Sequence, residues 1–260
     1  MEYIDFEKAV KQRMDQLQNS PEFQANCQRF SQECARLEAV ALELYLQIKA
    51  LQVRCRENTV RKEYASGSTL HRGFYCPSPT YDIIIGNTKR GKLLGHLTKA
   101  SKPSHEYGFD ADGRLLYCAW LRDGQPTQTE YLVYEGDRIL GITLDHDGSL
   151  SCLTEETLHN GRITHYLQGL FLPMEQSFRC TEVSYEHYGY DTEGLASCDM
   201  HHYMQTVFVP AGLPERALAL LPKEVYRHIG KYLFRRENGL LISYTNQQGR
   251  EYQVLAQRNA

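Results

Sequence analysis

Acid–base or metal chemistry in this chain would have to come from its 10 histidines and 32 acidic residues. Their spacing argues against both. His201 and His202 are adjacent, so on a strand they point to opposite faces and cannot ligate one ion. Glu186-His187 and His165-Tyr166 show no ligand spacing either. Separate strands could bring His165, His187 and His202 together, but nothing in the spacing requires it. Asp145-His146-Asp147 has the residue types of half an acid–base site, yet Gly148 makes a hairpin turn the better reading. No G-x-S-x-G, no H-E-x-x-H and no phosphate loop is present. The residues therefore assign no catalytic, cofactor-binding or metal site.

Binding has more support. Residues 103–200 carry 5 Lys/Arg against 17 Asp/Glu, a balance of −12, whereas residues 49–102 carry 11 basic against 3 acidic. An acidic stretch of this kind repels nucleic acid and steers a basic protein. Much of the acid falls at turns, and the expectation is that Asp112, Asp123 and Asp147 project from one rim of a sheet. The 18 tyrosines suit half-buried strands and wet interfaces. Tyr107, Trp120, Tyr131 and Tyr166 are the expected aromatic anchors for the partner. Carbohydrate binding or hydrolysis in a sheet-lined groove is the alternative, since aromatics and carboxylates are abundant.

These residues must be positioned by sheet. From His105 to Tyr203, turn pairs recur at Asp112-Gly113, Asp123-Gly124, Gly136-Asp137, Asp147-Gly148 and Asn160-Gly161, with glycine steps of 11, 12, 12 and 13. One short strand plus one tight turn fits that interval. Residues 82–260 read as one antiparallel meander domain, with a short helical insertion at 213–229 framed by Pro214 and Pro222. Residues 63–81 read as a connector rich in breakers.

Residues 1–62 read as a helical hairpin. A first helix is expected over 3–18, and Ser20-Pro21-Glu22 supplies the cap, first-turn proline and dipole-matched acid of a second. Phe23, Cys27, Phe30, Cys34, Leu37, Ala41, Leu44, Ile48, Leu51 and Cys55 then form a seam at alternating steps of four and three. A second stripe of Ala35, Ala39, Leu42, Leu46 and Val53 predicts burial on two sides. Phe30, Leu37, Leu44, Ile48 and Leu51 are the expected packing residues, within the hairpin, against the sheet or in a homo-oligomer. A structural role through oligomerisation is a third functional reading.

The 8 cysteines contain no C-x-x-C pair, and no signal-peptide-like start or membrane-length apolar run is present. The expectation is a cytoplasmic protein with reduced thiols, no cofactor and no membrane partner.

Tyr107-Gly108-Phe109-Asp110-Ala111-Asp112-Gly113-Arg114-Leu115 resembles the YD repeat of the Rhs family, with Phe109 in place of the second tyrosine. Tyr188-Gly189-Tyr190-Asp191-Thr192-Glu193-Gly194-Leu195 is a second copy that lacks the arginine. The resemblance spans about residues 105–203. It implies a non-catalytic β-sheet scaffold of polymorphic-toxin systems, and for a small chain of this kind an immunity-like inhibitor. The expected fold class is α+β: a long N-terminal helical hairpin followed by a twisted antiparallel meander, an open sheet or a partial barrel.

Overall fold

The computed structural model describes residues 19–68, 70–84, 90–98, 101–174, 177–207, 223–237 and 240–254, with isolated positions at 12, 15 and 16. Ser20 caps the first helix, α1 (Pro21–Leu46), and its Oγ accepts from the Phe23 N–H at 3.3 Å. Gln47 interrupts the helix, and α2 (Ile48–Asn58) continues it. The described helices are thus two consecutive segments of one rod. They are not the expected hairpin, and most of residues 3–18 lie outside the described set.

The rest is one 13-stranded antiparallel sheet: β1 (Arg61–Ser66), β2 (Lys92–Leu94), β3 (His105–Phe109), β4 (Leu115–Arg122), β5 (Gln125–Glu135), β6 (Arg138–Asp145), β7 (Leu150–His159), β8 (Arg162–Pro173), β9 (Phe178–Asp191), β10 (Gly194–Val207), β11 (Lys223–Glu237), β12 (Leu240–Asn246) and β13 (Glu251–Gln253). Strands follow sequence order from β3 to β13, with β1 and then β2 added beside β3, so β2 and β13 are free edges and the sheet is open. The turn glycines at 113, 124, 136, 148 and 161 all have positive φ, between 61° and 84°, which is why turns of this type recur there.

Three expected boundaries shift. Arg61–Ser66 is a strand within what reads as hairpin end and connector, because it pairs with β3 from Arg61↔Phe109 to Ala65↔His105. Residues 223–229 are strand, not part of a helical insertion, since Val207↔Lys223 through His201↔Ile229 are paired with β10. The remainder of 213–229 lies outside the described residues. The expected boundary between connector and meander at 81/82 falls inside a single helical turn, α3 (Tyr81–Ile84).

Both faces of the sheet centre are covered, by different elements. The rod crosses one face from β9 toward β4. Arg36 Nη1 donates to Glu155 on β7 at 2.9 Å, and Glu38 accepts the Cys180 N–H on β9 at 2.9 Å. Tyr45 donates to the Gly148 carbonyl at 3.2 Å, and Cys55 Sγ lies 3.6 Å from the Leu116 carbonyl. Beneath it Phe30, Cys34, Leu37, Ala41, Leu44, Leu51 and Cys55 pack on Leu140, Ile142, Leu144, Leu153 and Val183, and Ile48 packs on the edge of this core. The heptad seam is therefore a helix–sheet contact. Gly169 makes room for it: a Cβ there would stand 2.8 Å from Leu37 Cδ1. The second stripe is not buried. Leu42, Leu46 and Val53 are 50%, 77% and 43% exposed, because the sheet lies on the other side of the rod.

The opposite face is covered by the connector. Leu70 through Thr80 lie across the middle strands, and Tyr107, Cys118, Glu130, Thr154, Glu156, Tyr166, Glu186 and Tyr188 are buried under them. No helix among the described residues is long and apolar enough to cross a membrane. All eight cysteines are unpaired, and seven are buried.

Candidate functional site

Two polar clusters fasten the connector to the sheet. In the first, Arg72, itself in left-handed backbone at φ 54°, reaches down between strands. Its Nε donates to Glu130 Oε2 at 2.7 Å, and its Nη2 donates to Glu130 Oε1 at 2.9 Å and to Thr154 Oγ1 at 3.0 Å. Nη1 donates to Glu156. Burial alone raises the Glu130 carboxyl's pKa, but Arg72 and His71 more than offset it, holding the group well below the usual carboxylate range. His71 Nε2 stands 3.1 Å from Glu130, and Trp120 packs between His71 and His105 with ring centroids 5.5 Å from each. Burial, with His71 adding to it, lowers the pKa of His105 to about 4.

In the second cluster no cation among the described residues pairs with the carboxylate; Arg90 donates instead to the Cys76 and Ser78 carbonyls at 2.9 Å each. Glu186 accepts from Ser78 and Thr80 Oγ at 2.9 Å each and from the Tyr188 hydroxyl at 2.5 Å. Burial raises its pKa, and these neutral donors only partly counter that. Both clusters are closed by the fold. Their carboxylates are occupied by internal partners and hold the connector down.

The YD-like segments share one local geometry. Tyr107 and Tyr188 lie buried under the connector: Tyr107 donates to the Arg72 carbonyl at 3.0 Å, and Tyr188 to Glu186. The aspartate three residues on closes the turn in each. Asp110 Oδ1 accepts from the Asp112 and Arg114 N–H groups, and Asp191 Oδ1 from those of Glu193 and Gly194.

This placement redistributes the expected binding residues. Tyr107 and Tyr166 are 0% and 4% exposed, so neither presents area to a partner. Tyr131 packs half-buried against the core under the rod, and Trp120 is held by the two histidines. Successive hairpin turns in a meander fall at alternate ends of the sheet. Asp112, in the β3–β4 turn, therefore lies on one rim, and Asp123 and Asp147, in the β4–β5 and β6–β7 turns, on the other. The single acidic rim does not form. The histidines separate likewise. His165 and His187 stack at 4.4 Å on the rod's face of the sheet, while His202, next to Glu182, points to the connector face. Among the described residues no three potential metal ligands converge.

What does form is a groove along the Asp112 rim, between that rim and the rod. It consists of two cavities of about 300 and about 500 Å³ that share Arg54 and Val133. The first is lined by Glu43, Gln47, Glu135 and Arg138 over a floor of Leu44, Leu51 and Leu140. The second is lined by Glu57, Asn58, Asp110, Asp112, Arg114 and Tyr134. Two of its arginines are spent on the rim itself. Arg114 binds Asp110 at 2.9 Å and Asp112 at 3.1 Å, while Arg138 binds Glu155 at 3.0 Å and approaches Glu135 at 3.6 Å. Exposed Glu43, Arg54 and Glu57 form no ion pair among the described residues. Of the expected site residues the groove gathers Asp112, Leu44 and Leu51. The helix seam and the turn pattern signalled its walls separately, but nothing in sequence signalled their meeting.

No family model and no curated protein matches the chain. A protein of unknown function from Bacteroides fragilis is similar to it over 42% of this chain and 78% of its own, at 11% identity and a TM-score of 0.24. A porin-like protein from Bacteroides uniformis is similar over 61% of this chain and 91% of its own, at 13% identity and a TM-score of 0.17. Likenesses at this level carry no argument about function.

Proposed function

We propose that this chain is a non-catalytic protein-binding module that receives a basic segment of a partner protein in the rim groove. The observation that carries this reading is the charge order along the groove. Glu43 lines one cavity, Arg54 is shared by both, and Glu57 lines the other. All three are exposed and without ion pairs among the described residues. A bound segment with a carboxylate between two cationic side chains matches that order, and the apolar floor of Leu44, Leu51 and Leu140 adds desolvated area beneath it. Counted together, the lining has five carboxylates against three arginines, so the long-range pull is on cations. In the specific form that the YD-like segments suggest, the partner is a toxin with a positive cleft and this chain is its cytoplasmic inhibitor.

The experiment is capture from the source organism at low and high salt, with the Glu43→Lys, Glu57→Lys double variant as the paired bait. The proposal expects a basic protein on the wild-type bait, released by salt and absent from the variant. Equal capture by both baits overturns it.

A further inference from the structure

On the connector face, beyond the connector itself, strands β11 to β13 carry an aromatic cluster, and Tyr190 on β9 lies across β10 from it to make an interrupted strip. Tyr190, Phe234, Tyr244 and Tyr252 lie on successive or near-successive strands, spanning about 20 Å at the usual inter-strand spacing, with Tyr232 beside Tyr244. All five are half-buried. Tyr244 and Tyr252 stack at 5.1 Å and 13°, Tyr232 meets Tyr244 edge-on at 5.9 Å, and Phe234 lies 6.4 Å from Tyr244. Arginines decorate the strip. The Arg162 guanidinium lies 5.3 Å over the Tyr190 ring, Arg250 lies 5.2 Å over Tyr252, and Arg236 donates to the Leu195 carbonyl at 3.3 Å. The carboxylates described on this face of β9 to β13 are accounted for elsewhere: Glu186 is buried, and Glu182 sits 3.5 Å from His202. Among the described side chains, the charges placed on the strip itself are those of Arg162, Arg236 and Arg250, and the acidic turn of Asp191 and Glu193 lies at its end.

We infer that this strip is a second interaction surface, separate from the groove, and that its occupant is an acidic segment of a partner protein. Two features select that chemistry. Tyrosine and arginine are both enriched in protein hot spots. Stacking between neighbouring rings, and arginines laid over Tyr190 and Tyr252, occupy ring faces, and the Tyr190 hydroxyl is spent on the Ile163 carbonyl at 2.7 Å, so the hydroxyls of Tyr244 and Tyr252 and the guanidinium edges are the groups on offer. Those groups bind carboxylates, and arginine does so through paired N–H donors. A base-stacking platform for single-stranded nucleic acid needs the ring faces themselves.

The test uses a short fluorescein-labelled peptide of alternating glutamate and valine, with oligothymidylate as the second probe. Both are titrated against the full chain and against its Arg162→Glu, Arg250→Glu variant. Arg162 and Arg250 are exposed, and their side chains contact only ring faces in the described structure, so the variant is expected to keep the wild-type circular dichroism and melting temperature. The inference expects saturable peptide binding that weakens at least about tenfold in the variant, since both charge-assisted pairs are lost and their sign is reversed. It expects no competition by oligothymidylate. Equal peptide affinity for the two proteins, or no peptide binding to either, overturns it. Oligothymidylate that binds more tightly than the peptide and is lost in the variant also overturns it, in favour of nucleic acid. A self-associated wild type that the variant converts to monomer assigns the strip to a second copy of the chain instead. If the variant loses its fold, Tyr244→Ser replaces it with the same expected loss.

Discussion

Arg72 and Glu130, 58 residues apart in sequence, meet in a two-point ion pair inside the fold, Nε to Oε2 at 2.7 Å and Nη2 to Oε1 at 2.9 Å. One buried cation thereby serves two carboxylates, since Nη1 is bound to Glu156. Removing the cation alone should be costly, because it leaves Glu156 desolvated with no counter-charge and Glu130 with only His71 beside it. Arg72→Met is expected to destabilise the protein by about 3–5 kcal/mol in urea denaturation. Adding Glu130→Gln and Glu156→Gln to that variant should recover a large part of the loss. A single variant within about 0.5 kcal/mol of wild type would show that the connector is not held there.

The two connector clusters respond to pH in opposite senses. Burial raises the Glu186 pKa above its ordinary 4.5, so the native state keeps that proton to higher pH than the unfolded chain. The group's contribution is full below 4.5 and is lost as pH rises through the folded value. His105 is depressed from 6.5 to about 4, so its contribution is present above 6.5 and lost as pH falls toward 4, roughly 3 kcal/mol across that window. Glu186→Gln should therefore be more stable than wild type at mildly alkaline pH, with the two curves converging as pH falls. Curves that stay parallel across the range contradict the assignment. Both proteins should lose stability together as pH falls from 6.5.

Gly141 makes the Arg72 cluster sterically possible. A Cβ at that position would fall on Glu130 Oε1 and Thr154 Oγ1 and within 2.9 Å of Arg72 Nη2. Gly141→Ala is expected to cost about 1–3 kcal/mol by overpacking. In the Arg72→Met background the cost should shrink, because one of the crowded groups is gone. A double-mutant cycle measures that coupling, and strict additivity would mean that the glycine and the arginine act independently.

The meander was legible because its turns demand a particular backbone. Gly113, Gly124, Gly136, Gly148 and Gly161 all take the positive φ that their spacing implies. The Ser20 cap and the Phe30-to-Cys55 seam were legible for a similar reason, each being a local rule read over a few residues. The burial of Tyr107 and Tyr166 was not, because strand alternation says which residues share a face and leaves open what covers that face. A signal was nevertheless present. Leu140-Gly141-Ile142-Thr143-Leu144 has no charged residue on either face, the pattern of a strand buried on both sides. The rim charges misled because an acidic balance over 98 residues does not record that alternate turns point to opposite ends. Residues 223–229 misled because Pro222 is a good first residue for a helix, while pairing with β10 overrides that preference.

The groove is the central claim, and the most direct measurement is a fluorescence-anisotropy titration with a labelled lysine-rich peptide carrying one aspartate at its centre. It is run on the wild-type chain, on Glu43→Gln, Glu57→Gln, and on Arg54→Gln. The proposal predicts saturable, salt-sensitive binding to the wild type. The double carboxylate variant should bind about five- to thirtyfold more weakly, as two partly exposed ion pairs of about 0.5–1 kcal/mol each would give. Arg54→Gln should lose affinity for this peptide but not for its all-lysine counterpart. Binding that is equal for all three proteins, or that ignores the central aspartate while surviving loss of both glutamates, would contradict it.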